Sequence, residues 1–411
     1  MYIIQDKGGA IALMLAALCF LGTWPALLNL VERRGRNLMH TYLDYSITNL
    51  LVAIIFALTL GQIGSSTPES PNFVTQLHQD NWPSVGFALA GGLVLGVGNL
   101  LTQYAWPFVG LSIVEVISSS ITVVAGTTMN YFLDDRINHA QILFPGVGCF
   151  LIAVFLGAAL HTSYSRDNLS KLQAYSRYYN KDLQHSSIIW AFVAQEENGI
   201  DKNAKVQTLQ ANGLGVKAGT GQYLQQLEDQ RAMKISGVKT TFGLVIVVIA
   251  GFCFALFSPA FNLATNDQWH RLKPGVPHLV VYTAFFYFSV MAFIFGVTAN
   301  LVLLYHPLLG LPKSSLKMYL NDWEGRQWAL LAGLLCGLGN GFQFMGGQAA
   351  GYAAADAVQA LPLVSTFWAV VIFKEYYRSS RKTYILLVAM LFMFCLAVGL
   401  LAGSSGTRNT S

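Results

Sequence analysis

Residues Gly92-Leu-Val-Leu-Gly-Val-Gly-Asn99 and Gly333-Leu-Leu-Cys-Gly-Leu-Gly-Asn340 carry one pattern twice, at a shift of 241 residues. Gly92, Gly96 and Gly98 fall on Gly333, Gly337 and Gly339, and Asn99 falls on Asn340. In an apolar run such glycines let two membrane helices approach closely. The same shift places Glu115 on Asp356. At a shift of 234, Cys19-Phe20 and Pro25-Ala26 fall on Cys253-Phe254 and Pro259-Ala260; at 239, Ala53, Ile55, Phe56 and Thr59 fall on Ala292, Ile294, Phe295 and Thr298. Shared membrane composition would scatter such coincidences. Matches in chain order at a nearly constant shift predict a duplicated unit of five spans. An odd number of spans inverts the second copy, the arrangement of alternating-access transporters, which hold substrate where the repeats meet.

Composition supports spans rather than a soluble core. The chain is 54% hydrophobic and 11% charged, against about 25% charged in soluble proteins. Its apolar blocks approach the roughly 20 residues that cross a bilayer. They run about 10–31, 43–61, 84–104, 111–131, 142–160, 242–263, 279–304, 327–347, 352–373 and 383–403. The first ends at Glu32-Arg33-Arg34 with no small-residue cleavage site, which reads as a retained helix. The expected fold is all-α integral membrane, with ten transmembrane helices as two inverted five-helix repeats. Repeat 1 occupies 1–160, a largely flexible cytosolic loop 161–241, repeat 2 242–403 and a tail 404–411. Within the loop, Leu224, Leu227, Ala232 and Ile235 recur near helical spacing, so a short amphipathic helix is expected over 222–235.

Loop charges set the expected orientation. With both termini outside, 20 of the 25 Lys and Arg fall inside, and no Lys or Arg lies within a span. The net charge of +5 is thus an orientation signal, not a nucleic-acid surface. The five Cys all sit in apolar blocks without Cys-x-x-Cys spacing and read as helix packing. Gly213-Leu-Gly-Val-Lys-Ala-Gly-Thr-Gly221 lacks the Gly-Lys-[Ser/Thr] of a phosphate-binding loop, which argues against ATP-driven transport. Asn168-Leu-Ser170 fits the glycosylation pattern but lies in the cytosolic loop. No cofactor or metal is expected, nor catalysis.

Glu115 and Asp356 are acids in apolar surroundings well past a helix start. A charge there costs several kcal/mol, and such acids usually face a cavity and often handle protons; the plainer alternative is a structural acid bonded to a neighbouring helix. Glu115 has fewer polar neighbours in sequence, so it is expected to carry the proton, with Asp356 bonding a substrate N–H edge. Asn99, Gln103, Asn340, Gln343 and Gln359 offer donors and acceptors to an edge that alternates C=O and N–H, or serve as glue between helices. Trp24 and Phe257 flank Pro25 and Pro259, where an aromatic beside a kink can stack on a flat ring; lipid-facing aromatics are the competing reading. The missing intramembrane cation speaks against anionic cargo. These residues point to a polar, uncharged solute.

Several runs resemble the plant ureide permease family: Gly22-Thr-Trp-Pro25, Glu32-Arg-Arg-Gly-Arg36, His40-Thr-Tyr-Leu-Asp-Tyr-Ser46, Gln79-Asp-Asn-Trp-Pro-Ser84, Ser258-Pro-Ala-Phe-Asn-Leu-Ala-Thr-Asn-Asp-Gln-Trp269, and the long run Gly339-Asn-Gly-Phe-Gln-Phe-Met-Gly-Gly-Gln-Ala-Ala-Gly-Tyr-Ala-Ala-Ala-Asp356. The resemblance covers 1–160 and 240–400; the central loop departs from it except around Gly219-Thr220, Leu227-Glu228 and Arg231-Ala232. It implies a drug/metabolite-transporter-like fold and proton-coupled uptake of allantoin, uracil and related oxo-purines and oxo-pyrimidines. The expected partners are the substrate, protons and the lipid bilayer, most naturally the plasma membrane, with no nucleic acid; an oligomer is compatible with the sequence. A nucleotide-sugar exchanger of the same superfamily is the nearest alternative, and a receptor or scaffold without a transport cycle the next.

Overall fold

The computed structural model describes residues 6–64, 66–68, 70–193, 218–224, 240–308 and 311–406. Among them, ten helices are long and apolar enough to cross a membrane, and no strand occurs. Helix α1 spans Lys7–Arg33, with the Asp6 carboxylate accepting the Gly9 N–H at 2.6 Å as its N-cap. Helix α2 is Leu38–Leu58, capped by Asn37, and the short α3 is Phe73–Gln76. Helix α4 (Trp82–Val109) gives way at Gly110 to α5 (Leu111–Ile121), a π-helical segment Thr122–Thr127 and α6 (Thr128–Leu133). Helix α7 is Ala140–Val193. In the second half come α8 (Thr240–Asn266), α9 (Val281–Tyr305) and the short α10 (Leu316–Asn321). Helix α11 (Arg326–Ala350) gives way at Gly351 to α12 (Tyr352–Ala355), a 3-10 turn Asp356–Gln359 and α13 (Leu361–Val371); α14 (Arg381–Gly403) follows.

Gly110 and Gly351 make one-residue breaks with φ of +84° and +94°, a backbone that glycine adopts without penalty. The two spans richest in small and hydroxyl residues are therefore interrupted helices, one by a π segment and the other by a 3-10 turn. In membrane proteins, irregular backbone of this kind is tolerated only where protein or a cavity surrounds it.

The helix partnerships cross between the halves. Helix α1 lies along α11, and α8 along α4; α2 packs on α11, and α9 on α4; α1 meets α13, and α8 meets α5. Helix α2 also packs on α9, α5 on α13 and α7 on α14. Small residues set the closeness. A Cβ at Gly92 would lie inside the shell of the Phe288 carbonyl oxygen, and one at Gly333 inside that of the Tyr45 carbonyl oxygen. Apolar side chains such as Val245, Ile249, Phe252, Leu256, Ile385, Val388, Phe392 and Leu396 are exposed on α8 and α14, as the hydrocarbon of a bilayer requires.

One boundary differs from the sequence reading. The fifth span runs on as α7 through Val193 rather than giving way at 160 to loop. Neither Gly nor Pro occurs between Gly157 and Gly199, so nothing in the backbone stops the helix. Asp167 holds it beside α14: its Oδ2 accepts the Ser380 N–H at 2.8 Å and the Thr383 hydroxyl at 2.7 Å. Residues 218–224 pack against this helix, with Gly219 and Gly221 buried against Tyr377, Lys171 and Tyr175. Most of the amphipathic helix expected over 222–235 lies outside the described residues.

Candidate functional site

Six spans converge on a small cavity between the halves. Its lining includes Leu21 and Trp24 from α1, Leu95, Asn99 and Thr102 from α4, and Glu115 from α5. The second half adds Phe254 and Phe257 from α8, Cys336 and Asn340 from α11, Gln359 from the 3-10 turn and Leu361 from α13. None of these is a cation. The interrupted helices matter here: α5 begins just past Gly110 and so presents Glu115 inward, while the turn after Gly351 presents Gln359.

The polar wall is assembled through α2. Tyr45, also buried, stacks on Trp24 with ring centroids 5.3 Å apart. Its hydroxyl accepts N–H from Asn99 at 2.9 Å and from Asn49 at 3.3 Å, and lies 3.0 Å from Cys336 Sγ. Asn340 Nδ2 donates to the same sulfur at 3.4 Å. Trp106 closes the far side of Trp24 at 6.1 Å. Phe257 is backed by Phe288 and Phe344 at 6.2 and 6.1 Å. Gln359 Nε2 donates to Gln343 Oε1 at 3.3 Å. Gln343 and Gln103 are buried just behind the lining, and the Nε2 of each lacks a hydrogen-bond partner among the described residues.

Trp24, Asn99, Glu115, Phe257, Asn340 and Gln359 thus meet in one place, with Gln103 and Gln343 close behind. Asp356 does not line the cavity. It is 0% exposed and faces the π segment, where Oδ2 accepts from Asn130 Nδ2 at 3.1 Å and from the Thr127 hydroxyl at 3.2 Å. The repeat shift pairs it with Glu115, but Glu115 sits on regular α-helix and Asp356 on a 3-10 turn, so the two side chains leave their backbones differently. Tyr45, Cys336 and Thr102 were not expected at the site. Tyr42, Tyr45 and Asn49 recur at i, i+3 and i+7, which is a polar helix face and the signal that would have found Tyr45.

The cavity measures about 30 Å³, room for a water or two and too small for any ring.

The model of the ureide permease family matches residues 41–404. Ureide permease 2 of Arabidopsis thaliana is 64% identical over 408 residues, covering 99% of this chain and 100% of the relative. Ureide permease 1 of the same plant is 62% identical over 408 residues, with the same coverage. Probable ureide permease A3 of Vigna unguiculata is 56% identical over 385 residues, 93% of this chain and 100% of the relative. The chain belongs to the ureide permease family. It is a multi-pass membrane transporter, not an enzyme.

The face bearing the α1–α2 and α9–α11 connections carries a dense ionic cluster. Arg36 reaches Asp44 at 2.6 Å and Asp322 at 3.2 Å; Asp322 also meets His40 at 2.6 Å. Arg326 reaches Asp44 at 3.3 Å, and the Tyr319 hydroxyl donates to Asp44 at 2.8 Å. On the same face, Arg33 pairs with Glu375 at 2.7 Å and lies 4.2 Å over the Phe373 ring. These charges tie the ends of α1 and α2 to segments of the second half.

Proposed function

We propose that this permease takes up flat, neutral, nitrogen-rich solutes, namely ureides such as allantoin together with uracil and related oxo-purines and oxo-pyrimidines. We further propose that it does so by alternating access of two inverted five-helix repeats, driven by protons. The observation that carries the reading is the cavity lining: aromatics and amides from both halves, one acid and no cation. A ring edged with C=O and N–H suits amide partners and an aromatic face, whereas a nucleotide sugar would meet no positive charge. The relatives' names supply the substrate class. The exchange of partners between halves, α1·α11 with α8·α4 and α2·α11 with α9·α4, supports the inverted repeat, as does the recurrence of the positive-φ break at Gly110 and Gly351. In this reading Trp24 and Phe257 stack on the solute; Asn99, Asn340, Gln359, Gln103 and Gln343 bond its edge; and Glu115, at the same cavity, takes a proton as the solute binds.

The test is uptake of a labelled ureide and pyrimidine panel in cells lacking their own carriers. Asn340→Ala is expected to raise the half-saturating concentration roughly tenfold, the worth of about one hydrogen bond, at unchanged surface abundance. Glu115→Gln is expected to flatten the rise of uptake at acidic pH while substrate exchange persists. Normal transport by both variants would put the pocket elsewhere.

The reading places the protein in the plasma membrane with both termini outside and the ionic face in the cytosol, from the loop-charge bias. A C-terminal tag should therefore bind antibody on intact cells. A tag seen only after permeabilisation would reverse the topology.

A further inference from the structure

Asp356 stands at the end of an oriented series of amides. Gln348 Nε2 donates to Asn266 Oδ1 at 3.3 Å, Asn266 Nδ2 to Asn262 Oδ1 at 2.6 Å, Asn262 Nδ2 to Asn130 Oδ1 at 3.3 Å, and Asn130 Nδ2 to Asp356 Oδ2 at 3.1 Å. Each amide in the series gives its N–H toward the carboxylate. Dipoles aligned in this way reinforce one another, so the whole series favours negative charge on Asp356. Exposure falls along it: Gln348 and Asn266 are half-buried at the end of the bundle where α8 turns toward α9, whereas Asn262, Asn130 and Asp356 are 0% exposed. Thr127, on the π segment, donates to the same Oδ2 at 3.2 Å. The other oxygen, Oδ1, is buried and has no partner among the described residues.

The donors meet Oδ2 alone and leave Oδ1 bare, so one oxygen of this buried carboxyl group is open to a cation. A metal ion asks for a shell of oxygens. Here Asn130 turns its nitrogen to the carboxylate and its oxygen to Asn262, and the Thr127 hydroxyl donates, so the neighbours present hydrogens. A proton fits and a metal ion does not. The segments packed here bring one further acid near, Asp134, whose Oδ2 accepts the Tyr352 N–H at 2.7 Å. The charged residues of the other helices in contact are Lys7, Glu32 and Arg33 on α1 and Arg381 and Lys382 on α14, all near helix ends; Glu115 on α5 lines the cavity.

We infer that Asp356 Oδ1 is a proton-binding site separate from the substrate cavity, the anion left when the proton departs being steadied by the amide series Asn130, Asn262, Asn266 and Gln348. This rests on the proton-coupled reading above and adds a second acid to it, one that touches no substrate.

The full chain, reconstituted in proteoliposomes, tests it with two readouts: accumulation of labelled substrate under an imposed pH gradient, and substrate exchange with no gradient. Each coupled proton multiplies the accumulation ratio up to about tenfold per pH unit. Asp356→Asn is expected to lower that ratio about tenfold per unit of gradient while exchange remains measurable. Asn262→Leu keeps the acid and cuts the series that steadies its anion; it is expected to move the midpoint of the pH dependence of uptake upward, several-fold in proton concentration, while leaving the final ratio as in the wild type. Folded Asp356→Asn protein that accumulates like the wild type, or that loses exchange as a substrate ligand would, overturns the inference. Should Asp356→Asn fail to fold, Asn262→Leu decides, and a wild-type pH profile in that variant overturns it. A wild type that moves none of the panel strikes the substrate reading instead, and one that moves it without a pH response strikes the coupling.

Discussion

Gly333→Ala and Gly92→Ala are each expected to strip most of the folded protein from the membrane, although each adds a single methyl group. The added Cβ at Gly333 would overlap the Tyr45 carbonyl oxygen and the Thr48 hydroxyl, and the one at Gly92 the Phe288 carbonyl. A backbone oxygen inside a neighbouring helix cannot swing aside as a side chain can, so α11 must move off α2, or α4 off α9. Overpacking a tight core costs typically 1–3 kcal/mol, occasionally more, and a loss of that size changes cellular abundance several-fold. The controls are Gly86→Ala and Gly148→Ala, where a Cβ would meet nothing within 4 Å. There the same change removes a poor helix former and should be neutral or stabilising by up to about 1 kcal/mol. Thermal denaturation in detergent, read by size-exclusion chromatography, separates the two pairs. Should Gly333→Ala prove as stable as Gly148→Ala, the close crossing described here is wrong.

The second large effect is expected in the ionic cluster. Arg36 and Asp44 have side chains only 3% exposed, and Asp44 also serves Arg326 and Tyr319. Removing one member of a buried pair leaves a charge without compensation and costs about 3–5 kcal/mol. Asp44→Leu should therefore be worse than Arg36→Met, because Asp44 serves Arg36, Arg326 and Tyr319 together and of the two guanidinium groups only Arg36 keeps a second carboxylate, Asp322. The double variant should recover much of the loss. Equal melting temperatures for Asp44→Leu and the wild type would show that the cluster holds nothing. Its pH response is distinct from that of transport. Burial pushes the Asp322 carboxyl up, but the His40 hydrogen bond and the Arg36 charge overrule this and hold it below the usual carboxylate range. A depressed carboxylate contributes stability above its unfolded pKa and loses it as pH falls through the folded one. Asp322 keeps its contribution between pH 7 and 5, so an uptake response in that window does not come from this carboxyl.

How far the sequence can be read depends on which forces are local. The ten spans were legible because apolar length is a property of consecutive residues. The glycine pairs were legible as close contacts because Gly-xxx-Gly recurs on one helix face. Trp24, Asn99, Glu115, Phe257, Asn340 and Gln359 were legible as candidates because each is a polar or aromatic side chain in an apolar span; of them only Asn99 and Asn340 are equivalent at the 241-residue shift. Tyr45 was missed because α2 as a whole reads as an apolar span; the face of Tyr42, Tyr45 and Asn49 marks it as polar, while the bonds that make its hydroxyl a hub come from other helices. The place of Asp356 was illegible for a different reason. A 3-10 turn against a π segment rotates its side chain toward Asn130, and no spacing rule anticipates either irregularity. The long continuation of α7 had a readable signal, the absence of Gly and Pro from 158 to 198, which the polar composition of that stretch obscured.

That continuation offers a place to build a sensor. At 1.5 Å per residue, the 54 residues of α7 make a rod of about 80 Å, far longer than the roughly 30 Å of hydrocarbon it crosses. Asp167 clamps the rod to Ser380 and Thr383, a few residues past Glu375, which pairs with Arg33 at the mouth. If the proposed alternating access parts Arg33 from Glu375, the turn that carries Glu375 would shift against α1 and carry the rod with it. A displacement of an ångström or two beside the membrane would become several at the far end, as with any long pointer on a short pivot. A fluorescent protein spliced after Val193, paired with a dye on the α9–α11 connection, would turn each opening of the carrier into a change of colour.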